Sequence, residues 1–306
     1  MGTTSKNFKI KNKDVRTQIN LKHKKEKSKL KREERKERRE KGLPKQVPDT
    51  IDGKREYDET IKNPEDSDSS VDNSDSEDEK ENEKQDDDDQ QGDFSSYFKD
   101  GKDPKILITT SANCTRHAYN FVDCFGELFE DIKFIKRKRN YSMNDMARLS
   151  SNRGYTHLVV VNEDKKTING ITFIALPEGP TYYFSVSSYI EGKKIPGHGK
   201  ATSHIPELVL NNFKTSLGAS VGNLFKSLFP HKPDIEGRQV ITIHNQRDFM
   251  FFRRHRYVFR NEEKVGLQEL GPQFTLRLRR VQRGVKGETE WEHKPSMDKQ
   301  KKKFYL

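Results

Sequence analysis

Charge is divided along this chain into three blocks, and the division limits which part of it can fold. Residues 1–48 contain 18 Lys and Arg against 6 Asp and Glu, residues 49–98 contain 5 against 20, and residues 99–306 contain 36 against 22. The first two blocks hold few apolar side chains, so burial there cannot offset the entropy lost when the chain is ordered. We therefore predict a basic tail over residues 1–48 and an acidic linker over residues 49–103, both largely disordered in isolation.

Within these blocks, two segments allow more than one interpretation. Residues 21–41 mix Lys and Arg with Glu at helical spacing and contain no Gly or Pro, which favours a solvated helix, or one that orders on RNA. This density of cations indicates nuclear import or RNA contact, although a charged tail without a partner has the same composition. The acidic residues 65–93 are most simply a solubilising linker, and competition with RNA for the basic domain is the alternative.

From Pro104 the pattern changes to alternating strands and helices. Residues 105–110 form a predicted strand, and apolar residues at helical spacing predict a helix between Cys114 and Phe129. The apolar run 155–161 has the composition of a strand covered on both faces. Two further strands, 170–176 and 181–187, are joined by a turn containing Pro and Gly.

The same order of elements then begins again after a basic, glycine-containing linker at residues 191–200, which is expected to be exposed. A strand at 207–213 and a helix at 217–229 precede three more predicted strands, 238–244, 249–260 and 274–282. We therefore predict an α/β fold with mixed sheets over residues 104–284. Its two related halves are expected at 104–190 and 201–284, about a pseudo-twofold axis, with a basic C-terminal tail at 285–306.

Neither cysteine chemistry nor a catalytic motif is indicated. Cys114 and Cys124 lie ten residues apart in one predicted helix, where they could hardly bridge, and no Cys or His cluster accompanies them. The chain contains no phosphate-binding loop, no nucleophile elbow and no dinucleotide motif. It also lacks an apolar run long enough for a membrane span and a signal-peptide pattern. We expect a protein without a metal, cofactor, small-molecule substrate or catalytic residues, and without membrane contact.

The densest cationic segment is RRHRYVFR, Arg253 to Arg260. Alternate side chains of a strand share a face, so Arg254, Arg256 and Arg260 are predicted on one face and Arg253 on the other. Arginines on an edge strand can also be merely solvated, where they discourage aggregation.

A second cationic strand makes a phosphate-binding surface the favoured interpretation. In residues 274–282, Phe274, Leu276 and Leu278 alternate with Arg277 and Arg279, which predicts one core face and one cationic face. Because Arg, Tyr141 and Tyr257 can stack on unpaired bases, looped or single-stranded RNA is favoured over a duplex. The candidate RNA-binding residues are Arg253, Arg254, Arg256, Arg260, Arg277, Arg279, Arg280 and Arg283.

Together, these segments resemble the Brix domain of ribosome-biogenesis proteins. The resemblance is carried, in consistent order, by PKILITTS (104–111), THLVVVNEDKKTINGITFIALPEGPT (156–181), HIPELVLNNFKTSLG (204–218), RQVITIHNQRDFMFFRRHRYVF (238–259) and LQELGPQFTLRLRRVQRG (267–284). The last of these is similar to the family's sigma-factor-like RNA-binding motif. The family's RNA contacts are accordingly expected at Arg277, Arg279, Arg280 and Arg283, whereas the other four arginines follow from strand geometry.

The resemblance implies two halves that are each similar to the anticodon-binding domain of class II tRNA synthetases. It further implies action in the nucleus and nucleolus on precursor ribosomal RNA of the large subunit, including processing of the internal spacer next to 5.8S RNA. Other large-subunit assembly factors, among them a maintenance-of-killer family protein, are the implied partners. The alternatives are a protein-interaction scaffold that holds RNA only through its tails and, least favoured, an RNA-cleaving enzyme.

Overall fold

The computed structural model describes residues 13–42, 50, 54, 56–57, 94, 97–98, 101, 103–129, 131–261, 264–300 and 303–306. The chain divides into two compact units, Met1–Lys54 and Arg55–Leu306. Most of the predicted acidic linker, residues 49–103, lies outside the described residues, as do residues 1–12 and 43–48 of the predicted basic tail.

The first unit contains a long helix, α1 (Lys13–Glu40), with no buried residue. The helix predicted from the charge pattern is therefore present, and it begins at Lys13 rather than at residue 21. Ion pairs one turn apart, such as Lys36 Nζ to Glu40 Oε1 at 4.0 Å, lie on its surface. Exposed pairs of this kind add little stability. Because none of its residues is buried, α1 is a solvated helix.

Eleven strands of the second unit's described residues form one mixed sheet in the order β3-β2-β4-β5-β6-β11-β9-β8-β7, with β10 beside β9 and β12 beside β11. A short parallel pair, β1 with β13, is separate from this sheet. The strands are β1 (Glu56–Tyr57), β2 (Ile106–Thr110), β3 (Ile132–Phe134), β4 (His157–Asp164), β5 (Thr167–Ala175), β6 (Thr181–Ile190), β7 (Glu207–Asn211), β8 (Gln239–Gln246), β9 (Phe249–Asn261), β10 (Lys264–Glu269), β11 (Gln273–Gln282), β12 (Thr289–Glu292) and β13 (Lys303–Phe304).

The order of strand pairing is the same on both sides of the centre of the sheet. In the first half β2 runs parallel to β4, which is followed by antiparallel β5 and β6. In the second half β7 runs parallel to β8, which is followed by antiparallel β9 and β11. The antiparallel pairing of β6 with β11 joins the halves. The predicted mixed α/β fold is confirmed, while a pseudo-twofold relation of the halves in space stays a prediction.

Helices cover the two faces of the sheet unequally. Helices α2 (Arg116–Gly126) and α4 (Ser216–Ser227) each follow the first strand of a half, and their apolar residues join one core cluster with Phe173, Phe184 and Phe274. The third helix, α3 (Met143–Ser151), packs on the opposite face and only against the first half, where Met146 and Ala147 join a second cluster. The described helices therefore leave one face of the second half uncovered.

The start of α2 differs from the sequence-based expectation. Thr115 precedes the helix, and its backbone N–H donates to Glu163 Oε2 at 2.6 Å while its hydroxyl donates to the other carboxylate oxygen. Because Glu163 belongs to β4, a tertiary contact places the helix start after Cys114. The prediction that Cys114 and Cys124 share one helix is wrong, although both thiols are free as expected.

Residues 285–306 do not form the charged tail that was predicted. Strand β12 pairs with β11, and the last three residues are buried. The backbone N–H groups of Tyr305 and Leu306 donate to Asp248 Oδ1 at 2.8 and 3.0 Å, and Asn245 Nδ2 donates to the Leu306 carbonyl at 3.1 Å. The apolar residues after the lysine run provide the surface that this docking buries. The linker at 191–200 is likewise not wholly exposed, since Ile195 is buried.

We predict that the C-terminal residues stabilise the fold. Leu306 is 1% exposed whereas Leu267 is 64% exposed, so the two leucines form a matched pair. Leu306→Ala should lower the free energy of unfolding by about 2–4 kcal/mol, because a buried leucine loses transfer free energy and leaves a cavity. Leu267→Ala should change it by less than about 0.5 kcal/mol. Urea denaturation measures both, and equal effects would contradict the docked C-terminus.

A buried histidine connects the two halves. His157 of β4 is 1% exposed, and its Nε2 lies 3.0 Å from the Ser227 hydroxyl oxygen of α4. Its Nδ1 lies 2.9 Å from the Thr156 hydroxyl oxygen. Burial disfavours the charged imidazolium and lowers the pKa of His157 from 6.5 to about 3. The ring is therefore neutral in the folded protein at physiological pH.

This shift predicts a pH dependence of stability. Below pH 6.5 the unfolded chain takes up a proton at His157, whereas the folded chain does so only near pH 3. The histidine's contribution is therefore fully present above pH 6.5 and is lost as pH falls towards 3, by up to roughly 1.4 kcal/mol per pH unit. Urea denaturation from pH 7 to 4 should show a smaller pH dependence for His157→Gln than for the exposed control His117→Gln. Equal dependence in both variants would refute the assignment to His157.

Candidate nucleic-acid interface

One face of the second half of the sheet carries arginine, histidine and aromatic side chains and no described helix. On β9 and β11, Phe252, Phe274 and Leu276 face the core formed with α2 and α4. Because side chains alternate along a strand, their neighbours project from the opposite face. We call this surface the open face. Its residues are Ser185, Thr242, His244, Phe249, Phe251, Arg253, His255, Arg277, Arg279 and Arg280.

A β-bulge sets the arginine pattern of β11. The register with β6 shifts between Leu278 and Arg280, so that Leu278 pairs with Phe184 and Arg280 pairs with Tyr183. The extra residue of a bulge interrupts strict alternation. Consequently Arg279 and Arg280 both lie on the open side, between core residues Leu278 and Val281.

Arg277 is held on two sides by its neighbours. Its Nη2 donates to Asp298 Oδ1 at 2.6 Å, and its guanidinium carbon lies 4.7 Å from the centre of the Phe249 ring. The hydrogen bond from Arg277 holds the pKa of the Asp298 carboxyl below its usual value, assisted by His293. Arg277 is thus fixed by a carboxylate on one side and an aromatic ring on the other.

Carboxylates of the chain also pair with three other predicted arginines. Arg280 Nη2 lies 2.7 Å from Glu292 Oε1 of β12, Arg283 Nε lies 3.4 Å from Glu290 Oε1, and Arg253 Nε lies 3.8 Å from Glu269 Oε1. Since the side chains in these pairs remain partly or largely exposed, each pair is weak and open to exchange with an external anion.

Arg279 has a neutral partner. Its Nε donates to the Ser185 hydroxyl at 2.9 Å, and among the described residues no carboxylate lies within ion-pair distance. Partial burial lowers the pKa of Arg279, and the neighbouring Arg277 lowers it further. A phosphate bound here would gain a cation without displacing a carboxylate.

The expectation that Arg254 contacts RNA is wrong. Arg254 is 1% exposed, and its Nε and Nη2 donate to Gln239 Oε1 at 3.1 and 2.7 Å. Burial away from water lowers the pKa of this guanidinium, and Glu127 opposes the shift. Strand alternation correctly separated Arg254 from Arg253, but it could not show that the face of Arg254 is the one covered by helices.

Arg256 and Arg260 share the face of Arg254 on the part of β9 that pairs with β10. Arg256 is half-buried and Arg260 is exposed. Arg254, Arg256 and Arg260 therefore lie on the opposite side of β9 from the open face. The eight predicted residues do not form one surface. Arg253, Arg277, Arg279 and Arg280 share the open face, and Arg283 follows just beyond the end of β11.

Four residues of the open face were missed from the sequence: His244, Phe249, Phe251 and His255. The signal was present in FMFFRRH, because alternation that buries Met250 and Phe252 places Phe249 and Phe251 on the same side as Arg253. Two aromatic rings among cations provide stacking surfaces together with phosphate ligands. The open face therefore has the chemistry of a single-stranded nucleic-acid platform.

The described residues add two negative findings. They contain no group of three or more His, Cys, Asp or Glu placed to hold a metal ion. No described helix combines the length with the apolar composition that a bilayer crossing requires.

A structural role for Arg254 can be tested against its exposed neighbour on the same face. Arg254→Ala should lower the free energy of unfolding by about 1–3 kcal/mol, because it leaves the buried Gln239 oxygen without its donor. Arg260→Ala should change it by less than about 0.5 kcal/mol. Chemical denaturation of the two variants makes the comparison, and an unchanged stability of Arg254→Ala would show that the guanidinium is not buried.

Comparison with known proteins shows the family to which this chain belongs. The family model for the Brix domain matches residues 111–280. Ribosome production factor 1 of Saccharomyces cerevisiae is 49% identical over 97% of this chain and 96% of its own length. The protein of the same name from Pongo abelii is 43% identical over 97% of this chain and 84% of its own length.

Among solved structures, a probable ribosomal biogenesis protein from Aeropyrum pernix aligns with a TM-score of 0.43 and 18% identity, over 57% of this chain and 96% of that one. The family model covers more than half of the chain, and the relatives match it along nearly its whole length. The chain belongs to the Brix domain family.

Proposed function

We propose that this protein is a ribosome-biogenesis factor that binds precursor ribosomal RNA of the large subunit through the open face. The observation that carries the proposal is the sheet surface without a described helix, on which Phe249 and Phe251 lie among Arg253, Arg277 and Arg279. The names of the relatives, which describe ribosome production, support the biological setting. The proposed role is binding rather than catalysis.

The expected ligand is looped or single-stranded RNA. Stacking of a base on an exposed aromatic ring contributes about 1–3 kcal/mol and requires bases that are free of a duplex. Arg279 offers a guanidinium without a carboxylate, and Arg280 can exchange Glu292 for a phosphate. Such exchange makes binding weaker than the number of arginines suggests, because a phosphate bound by Arg253, Arg277 or Arg280 replaces an existing ion pair.

The proposal also includes the cellular location, the processing steps and the partners. The protein acts in the nucleolus during maturation of 5.8S and large ribosomal RNA, including processing of the internal spacer. It works beside other large-subunit assembly factors, among them a maintenance-of-killer family protein. The Brix family membership supports this setting, and the basic charge of residues 99–306 suits a polyanionic partner.

A second candidate function, a protein-interaction scaffold, is favoured by an apolar patch on the β9–β10 hairpin. Tyr257, Phe259, Val265 and Leu267 lie on one side of the hairpin, and the last three are exposed. Exposed apolar patches of this kind often mark protein contacts. Under the scaffold function, the Brix domain mainly docks onto another assembly factor, and the basic tail holds RNA loosely.

The open-face proposal predicts a difference between the two sides of the sheet. Arg277→Gln with Arg279→Gln removes two charges from the open face, and Arg256→Gln with Arg260→Gln removes two from the other side of β9. Each lost phosphate contact should lower the slope of log K against log salt by about 0.7, so the open-face variant should lose about 1.4. Fluorescence anisotropy with an internal-spacer transcript over a salt series measures the slopes.

The matched variant should retain the wild-type slope. Equal losses in both double variants would mean that total charge, not the open face, determines binding. A shortened chain beginning at residue 91, which keeps the buried Phe94, separates the two candidate functions. It should keep most RNA affinity if the open face binds RNA and lose most of it if the tail does.

A further inference from the structure

A second cationic surface lies in the first half of the sheet, outside the candidate arginines. Residues 133–141, with the sequence KFIKRKRNY, begin within the edge strand β3 and continue beyond its end. They contain five Lys and Arg and no acidic residue. We call this segment the basic loop. The sheet centre, where β6 meets β11, separates its half of the sheet from the open face.

Two arginines of the basic loop hold its shape. Arg137 donates through Nε and Nη2 to the Tyr141 carbonyl, at 3.1 and 2.9 Å. Arg139 donates through the same two atoms to Asn113 Oδ1, at 3.0 and 2.8 Å. The first pair of bonds closes the loop on itself, and the second ties it to the segment that follows β2.

The beginning of the loop is anchored to β2. The backbone N–H of Ile135 donates to the Ile108 carbonyl at 3.0 Å, and the Thr109 hydroxyl donates to the Ile135 carbonyl at 2.7 Å. The loop is therefore built on the sheet and braced at both ends, so its cations are displayed at fixed positions.

The lysines of the loop differ from the arginines of the open face in their described partners. Lys133, Lys136 and Lys138 are exposed, and among the described residues no carboxylate lies within ion-pair distance of any of them. Lys136 Nζ lies 5.8 Å from the centre of the Tyr119 ring. On the open face, by contrast, Arg253, Arg277 and Arg280 each have a carboxylate partner, so an anion binds the loop lysines without displacing one.

Aromatic rings accompany these lysines. Phe134 and Tyr141 are 41% and 44% exposed, and Phe134 contacts Tyr119 edge to face at 5.8 Å between ring centres. Exposed rings among exposed lysines suit single-stranded nucleic acid, whose bases stack on the rings while its phosphates bind the lysines. An acidic protein segment would use the lysines but would gain less from the flat rings.

We infer that the basic loop is a second RNA-binding surface, which takes the sugar–phosphate backbone and unpaired bases of single-stranded RNA. The inference rests on the proposed RNA-binding function and adds a contact in the first half of the Brix domain. The three lysines bind phosphates, Phe134 and Tyr141 contact bases, and Arg137 and Arg139 keep the loop in the binding conformation.

The test uses the full chain and replaces the three lysines together, as Lys133→Gln, Lys136→Gln and Lys138→Gln. The control replaces Lys193, Lys200 and Lys232 by Gln, three exposed lysines of the same domain without a described carboxylate partner. The probe is a fluorescein-labelled oligouridylate of about 20 nucleotides, which exceeds the ~4–16 nucleotide size of common single-strand sites. Anisotropy over a salt series gives the affinities.

For the loop variant, the slope of log K against log salt should fall by about 2, because three phosphate contacts are removed. Its affinity at about 0.1 M salt should fall up to a hundredfold. The control should change by less than threefold. Ultraviolet crosslinking to the same probe should modify Phe134 or Tyr141. Thermal unfolding should be unchanged, since the replaced side chains are exposed.

The outcomes separate this inference from the proposed function. If the loop variant binds like its control while the Arg277→Gln, Arg279→Gln variant loses affinity, the open face stands and the loop inference is overturned. If the loop variant loses affinity while its lysine control and the Arg277→Gln, Arg279→Gln variant do not, the loop is confirmed and the open face is rejected. If the wild-type chain does not bind the probe, or if both lysine triples lose affinity equally, the loop is not a specific surface.

Discussion

The antiparallel pairing of β6 with β11 is the interaction on which the rest of the structure depends. It joins two short sheets into one, and it places Phe184 opposite Leu278 and Val186 opposite Leu276 in a common core. Helices α2 and α4 then cover a single continuous apolar face, with Phe121 packed on Phe274 across the junction.

One-sided coverage is the consequence that matters for function. Because α2 and α4 share a face and α3 covers only the first half, the other face of β9 and β11 remains available. A sheet face that stays in water carries mainly polar side chains, and here arginine, histidine and serine lie beside Phe249 and Phe251. The C-terminal residues 289–298 lie along part of that face, where Glu292 and Asp298 moderate its charge.

Electrostatic balance distinguishes the two cationic surfaces. The arginines of the open face are held by carboxylates or by Ser185, which fixes their geometry but reduces the gain from binding an anion. In the basic loop Arg137 and Arg139 hold the backbone by binding neutral oxygens, and no carboxylate of the described residues pairs with the lysines. A polyanion that spans both surfaces would thus meet arginines with carboxylate partners at one, and lysines without a carboxylate partner among the described residues at the other.

Much of the fold could be predicted from local pattern. Apolar runs located β4 and β8, apolar residues at helical spacing located α2 and α4, and the repeated order of elements predicted two similar halves. Boundaries that depend on a distant residue could not be predicted in this way. Cys114 lies outside α2 because Glu163 of β4 binds Thr115, and Arg280 lies beside Arg279 because of a bulge formed against β6.

The sequence by itself determined which residues alternate along each strand, how charge is divided along the chain, and the Brix family resemblance, because these are properties of neighbouring residues and their order. Only the tertiary structure decided which alternating face is covered. Alternation separated Arg253 from Arg254, but the position of the helices buried Arg254 against Gln239 and left Arg253 on the open face. The tertiary structure also decided which arginines have carboxylate partners, since Asp298, Glu292 and Glu269 reach their arginines only after the chain has folded.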